Sequence, residues 1–151
     1  MTPLNRFFVY GTLRPGEQRF TAIQSYLEKE PESAQLLGAR LYTTGPWPFI
    51  VLDGMSQVVG ELLTVRPETL NTVIRTLDNI EGYEEGYDDC LFVRSIQDIY
   101  IPEGYSVEDG YVKAYVYLGG RSLVMQAAKD RYKELRSGDW KKRFEEDKRK
   151  C

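Results

Sequence analysis

One helix signature stands among strand-like runs, and it decides the fold class. Leu70, Val73, Ile74, Leu77 and Ile80 follow the i, i+3, i+4, i+7 spacing that gathers apolar side chains on one helical face. Pro67 suits the first turn, where its missing N–H costs no hydrogen bond, and Gly82 stands where a left-handed C-terminal cap belongs. On both sides lie aromatic and β-branched runs that read as strands: Arg6–Tyr10, Ala34–Thr43, Phe49–Leu52, Val58–Val65, Cys90–Ile101 and Gly110–Leu118. The last of these alternates with period two, which sets its tyrosines on one face. Asp53-Gly54 and Pro102-Glu103-Gly104 read as turns between strands. With hairpin-like connections and few intervening helices, a doubly wound parallel sheet is disfavoured. The expected class is α+β: a small mixed β-barrel with flanking helices. Phe20, Ile23 and Leu27 predict a short helix before Pro31. Beyond residue 120 the chain is charge-rich, and helices are expected over 121–136 and from Trp140 to about Lys148. Ser137 or Asp139 is the expected N-cap between them. Residues 121–151 thus read as a charged helical C-terminal extension of a single domain spanning 1–151.

Composition narrows the chemistry. The chain has 151 residues, enough for one domain that needs neither disulfide nor metal to fold. It has no histidine, which removes Ser–His–Asp and Cys–His catalysis and histidine zinc sites. Its two cysteines cannot build a four-thiolate zinc site, and Cys90 and Cys151 are expected as reduced thiols. Acid–base chemistry falls to carboxylates, tyrosines, lysines or a thiol, with no metal and no cofactor expected. A net charge of −3 argues against a nucleic-acid partner. There is no apolar run long enough to cross a membrane, and Met1 to Arg6 lacks the pattern of a signal peptide. The expectation is a soluble cytoplasmic protein without a membrane partner; nothing in the sequence speaks to oligomeric state.

Three segments carry candidate chemistry. In Phe8-Val9-Tyr10-Gly11-Thr12-Leu13-Arg14 a strand ends in a turn whose backbone N–H groups are available to an anion, with Gly11 allowing close approach. An ordinary strand end fits the same pattern. In Leu77-Asp78-Asn79-Ile80-Glu81-Gly82-Tyr83, Glu81 lies at the negative end of the helix dipole, an unfavourable place for a carboxylate. In an apolar pocket its pKa would rise and make it a usable base; a solvated glutamate before a capping glycine is the plainer reading. Asp78, Glu84, Glu85, Asp88 and Asp89 read as surface charges. Gly45-Pro46-Trp47-Pro48-Phe49 is a stiff aromatic loop, either a pocket wall or a packed connection. Arg14 either neutralises a carboxylate ligand or is simply exposed. Tyr83, Tyr87, Tyr115 and Tyr117 are core or pocket lining.

These motifs, in this order from residue 7 to about residue 118, resemble the gamma-glutamylcyclotransferase-like family, which includes the gamma-glutamylamine cyclotransferases. The matching pieces are Phe8-Val9-Tyr10-Gly11-Thr12-Leu13, Gly45-Pro46-Trp47-Pro48-Phe49-Ile50, Val59-Gly60-Glu61-Leu62 and Leu77-Asp78-Asn79-Ile80-Glu81-Gly82-Tyr83. Trp47 stands where the family usually has tyrosine. The family often has Tyr-x-Arg shortly after Glu-Gly-Tyr, whereas here Tyr87 is followed by Asp88-Asp89 and the next arginine is Arg94. The resemblance implies a gamma-glutamylcyclotransferase-like barrel and a small-molecule γ-glutamyl substrate. It implies release of 5-oxoproline and a free amine, with Glu81 catalytic and Tyr10, Gly11, Thr12 and Leu13 holding the glutamyl group. Trp47, Pro48 and Tyr87 are the further substrate-binding candidates. If the acidic turn 84–89 lines the mouth, it favours an amine-rich leaving group. The alternative is a non-catalytic binding or regulatory module on the same barrel.

Overall fold

Strand β1 (Arg6–Val9) lies between β3 (Pro48–Thr64), antiparallel to it, and β5 (Tyr111–Gly119), parallel to it. The structure, a computed structural model, describes residues 4–102 and 110–148. β5 continues antiparallel to β4 (Phe92–Tyr100), and β4 meets β2 (Glu32–Thr43) at Gln35↔Tyr100. β2 then pairs antiparallel with β3 over almost its whole length, which closes five strands into a mixed barrel. The two-residue β6 (Lys133–Glu134) adds an edge to β2 at Tyr42 and Thr43. The expected α+β barrel with flanking helices is therefore the fold.

Alternation along the strands makes two apolar layers. Phe8, Leu36, Leu41, Ile50, Val58, Leu62, Ala114 and Val116 fill the barrel interior. Their strand neighbours Phe7, Val9, Phe49, Leu63 and Tyr117 face outward and pack with Val73 and Leu77 of helix α1 (Leu70–Glu81). α1 follows a 3₁₀ turn at Pro67–Thr69 and ends at Gly82, whose φ of +69° is the left-handed cap expected from sequence.

Elsewhere the local reading yields to tertiary pairing. Asp53-Gly54 does not end a strand. β3 runs through it, the register slips between Leu37 and Ala39, and the Asp53 carboxylate accepts the N–H groups of Met55 and Ser56 at 2.9 and 3.0 Å. The feature is a bulge in one 17-residue strand. The 20–27 segment forms two 3₁₀ turns, Phe20–Ala22 and Gln24–Tyr26, rather than one helix. The helix expected over 121–136 stops early: α2 spans Arg121–Ala128, Asp130 turns left-handed at φ +56°, and the chain re-enters the sheet as β6. Trp140–Lys142 is a 3₁₀ turn leading into α3 (Arg143–Lys148). Asp139 is its cap, accepting the Lys141 N–H at 3.0 Å. Residues 133–140 are not an appendage, because Leu135 and Trp140 are buried in the barrel core. Pro102 begins the expected turn, while Glu103, Gly104 and Cys151 lie outside the described residues.

Candidate active site

The end of β1 and the end of α1 converge on one cavity of about 140 Å³. Tyr10, Gly11, Thr12 and Leu13 form one wall, Leu77, Ile80 and Glu81 another, and Trp47 and Pro48 a third. The three sequence segments, far apart along the chain, thus meet around a single space. Gly11 permits the meeting: a Cβ there would sit 2.6 Å from Cγ of Pro48. The Trp47 and Phe92 rings, with centroids 5.5 Å apart, close that side.

The loop after β1 is held from outside the cavity. The Arg14 N–H bonds to the Gly11 carbonyl at 3.1 Å, and the Arg19 N–H to the Thr12 carbonyl at 2.9 Å. The N–H groups of Gly11, Thr12 and Leu13 have no hydrogen-bond partner among the described residues. Idle donors of this kind are what an anion-binding turn requires. Arg14 is neither exposed nor turned to a ligand. It is 3% exposed, and its guanidinium grips both oxygens of Glu61, at 2.7 and 2.8 Å, and one of Asp139 at 2.7 Å.

Glu81 is half-buried, and its carboxylate makes no hydrogen bond or ion pair to the described residues. Burial in this apolar corner raises its pKa from 4.5 to about 7, against a smaller downward pull from Arg19. It is thereby poised between base and acid near neutral pH. Buried Tyr10 donates its hydroxyl to the Tyr117 carbonyl at 2.5 Å. Burial, reinforced by the Glu81 charge, holds its pKa well above the usual tyrosine value, so it stays a neutral donor.

Asp78, one turn before Glu81, is not a free surface charge. It accepts the Tyr117 hydroxyl at 2.6 Å and pairs with the Arg94 guanidinium. That guanidinium also lies over the rings of Tyr83 and Tyr115, 5.1 and 5.7 Å from their centroids. The last turn of α1 is thereby pinned to β4 and β5. Tyr87 stands apart: it is 66% exposed and does not line the cavity. Phe92, two residues before Arg94, lies there instead. The reason is local, since the chain from Glu84 to Leu91 makes an exposed excursion before β4 begins. Glu84, Glu85, Asp88 and Asp89 sit in that excursion, and none lines the cavity.

Sequence reasoning missed Arg19, the one cationic side chain on the cavity wall among the described residues. No motif surrounds it, and only the fold-back of the 14–19 loop carries it to the site.

Comparison with known proteins bears on this arrangement. The family described as gamma-glutamyl cyclotransferase, AIG2-like, matches residues 7–142. The chain belongs to that family. No curated protein matches it by sequence comparison. Among solved structures it is similar to an AIG2-like protein from Mus musculus, at 20% identity and TM-score 0.58, covering 76% of each chain. It is also similar to a protein titled gamma-glutamyl cyclotransferase, at 14% identity and TM-score 0.53, covering 87% of this chain and 70% of that one. An uncharacterized protein from Pyrococcus horikoshii matches at 20% identity and TM-score 0.55, over 95% of this chain and 96% of the other. At these identities the likenesses speak to the fold. Among the described residues, no helix is long and apolar enough to cross a membrane.

Proposed function

We propose that the protein is a gamma-glutamyl cyclotransferase that converts a γ-glutamyl amide into 5-oxoproline and a free amine. One observation carries the reading. A half-buried carboxyl with pKa about 7 and no hydrogen-bond partner among the described residues lines the same cavity as Gly11, Thr12 and Leu13, whose backbone N–H groups are unpaired among those residues.

The chemistry needs a base, an oxyanion or carboxylate cradle and a folded substrate. Glu81 takes a proton from the substrate's α-ammonium. The freed amine attacks the γ-carbonyl carbon, forming the lactam C–N bond. As the bond to the leaving nitrogen breaks, Glu81 returns that proton to it. The attacking nitrogen sheds its second proton in becoming the lactam N–H, and this proton ends on the released amine, which leaves as an ammonium, so atoms and charge balance. Such acid–base assistance is typically worth about 10²–10⁴-fold. Holding the glutamyl chain in a ring-closing geometry contributes up to roughly 7–11 kcal/mol. The nucleophile belongs to the substrate, which suits a chain without histidine. A pure binder of an anionic glutamyl group gains nothing from a carboxylate in its pocket, and this favours catalysis over the binding-module alternative.

The test is incubation with a panel of neutral and polycationic γ-glutamyl amines, with 5-oxoproline read by mass spectrometry. We expect product from at least one member and its loss in Glu81→Gln. Full turnover by a folded Glu81→Gln protein would sink the assignment.

A further inference from the structure

From the placement and the idle donors of Arg19, we infer that its guanidinium is the side chain that recognises a carboxylate on the substrate. Three observations carry this. Arg19 is half-buried on the wall of the same cavity as Glu81, and its backbone is fixed by the bond to Thr12. Its side chain has no hydrogen-bond or ion-pair partner among the described residues, unlike Arg14 and Arg94, whose guanidinium groups are committed to Glu61, Asp139 and Asp78. Nothing cancels its charge except Glu81, which in the proposed reaction is ionised before it takes the substrate's proton and neutral until it returns it. A planar fork of donors beside an apolar wall matches a carboxylate.

The inference rests on the cyclotransferase reading and deepens it. A γ-glutamyl amide always bears the glutamyl α-carboxylate, and it bears a second carboxylate when the leaving amine is an amino acid. Either would satisfy the fork. The exposed acidic turn 84–89 lies off the cavity wall, so the fixed cation that does line it favours an anionic group on the substrate over a polycation.

The experiment compares wild type, Arg19→Ala and Arg19→Lys on γ-glutamylalanine and γ-glutamylethylamine. Calorimetry of 5-oxoproline and of its carboxamide runs in parallel. Circular dichroism confirms folding, which the absence of protein partners for this side chain favours. Arg19→Ala should lower kcat/KM about 10–100-fold on γ-glutamylalanine, with Arg19→Lys between it and wild type. Equal loss on both substrates with weakened 5-oxoproline binding assigns the α-carboxylate. Loss confined to γ-glutamylalanine assigns the leaving group. Unchanged kcat/KM on both overturns the inference while leaving the cyclotransferase reading intact. If wild type converts neither substrate, that reading fails for these amines and calorimetry decides alone. A preference for 5-oxoproline over its amide that vanishes in Arg19→Ala supports Arg19. An equal preference in the variant, or no binding by wild type, overturns it.

Discussion

Glu81 stands where an ionised carboxylate is costly. Its pKa is raised in the folded protein, from 4.5 to about 7, so folding favours the protonated form. The contribution to stability is thus fully present below pH 4.5 and is lost as pH rises through about 7. Glutamine has no charge to desolvate. Glu81→Gln should therefore match wild type in stability at low pH and exceed it by about 1–3 kcal/mol at alkaline pH, which urea unfolding across the range measures. The proposed reaction needs the base form for attack, so kcat/KM should fall about tenfold per pH unit below the same pKa. Removing the Arg19 charge should shift that acidic limb to higher pH, since Arg19 and Tyr10 are the charged and titratable neighbours acting with Glu81 across the cavity. At this scale the sequence was informative where the candidate site is built from local runs. Tyr10 to Leu13 and Glu81 each belong to a short run whose spacing carries its own meaning. Arg19 does not, because its position depends on how a loop folds back.

Helix α1 was legible from its apolar stripe and its two end residues, for these interactions lie within one turn of each other. What holds its last turn against the barrel was not, because Asp78 meets residues 16 and 39 positions away. Asp78→Asn removes the charge that Arg94 and the Tyr117 hydroxyl answer. It should cost about 1–3 kcal/mol in urea unfolding and lower kcat more than it raises KM, since the last turn that carries Glu81 loosens. Strand β3 shows the opposite error of reading. Asp53-Gly54 carries the chemistry of a turn, and it does bend the chain with Gly54 at φ +76°, but pairing with β2 resumes on either side and makes it a bulge. The 129–136 segment reads as helix by propensity, yet an available edge on β2 and a place for Leu135 in the core outweigh that preference.

At the scale of the molecule, closure depends on both halves of the chain. Trp140, 2% exposed, sits in the barrel core beside residues from β1 to β5. Trp140→Ala should cost about 3–5 kcal/mol, and deletion of residues 121–148 should leave no cooperative thermal transition, as read by calorimetry. The charged composition of this region concealed its role, because Leu123, Ala127, Leu135 and Trp140 do the packing while most of the charged side chains around them face water. Arg14 ties the same region to the cavity loop through Asp139, 125 positions away. Translation makes that loop 125 positions before it supplies its fastening. Until Asp139 has cleared the ribosome, Arg14 lacks one of its two carboxylate partners and the barrel lacks Trp140. A chain that stops short of Asp139 and Trp140 therefore lacks both a fastening of its cavity loop and a piece of its core, even with β1 to β5 already made.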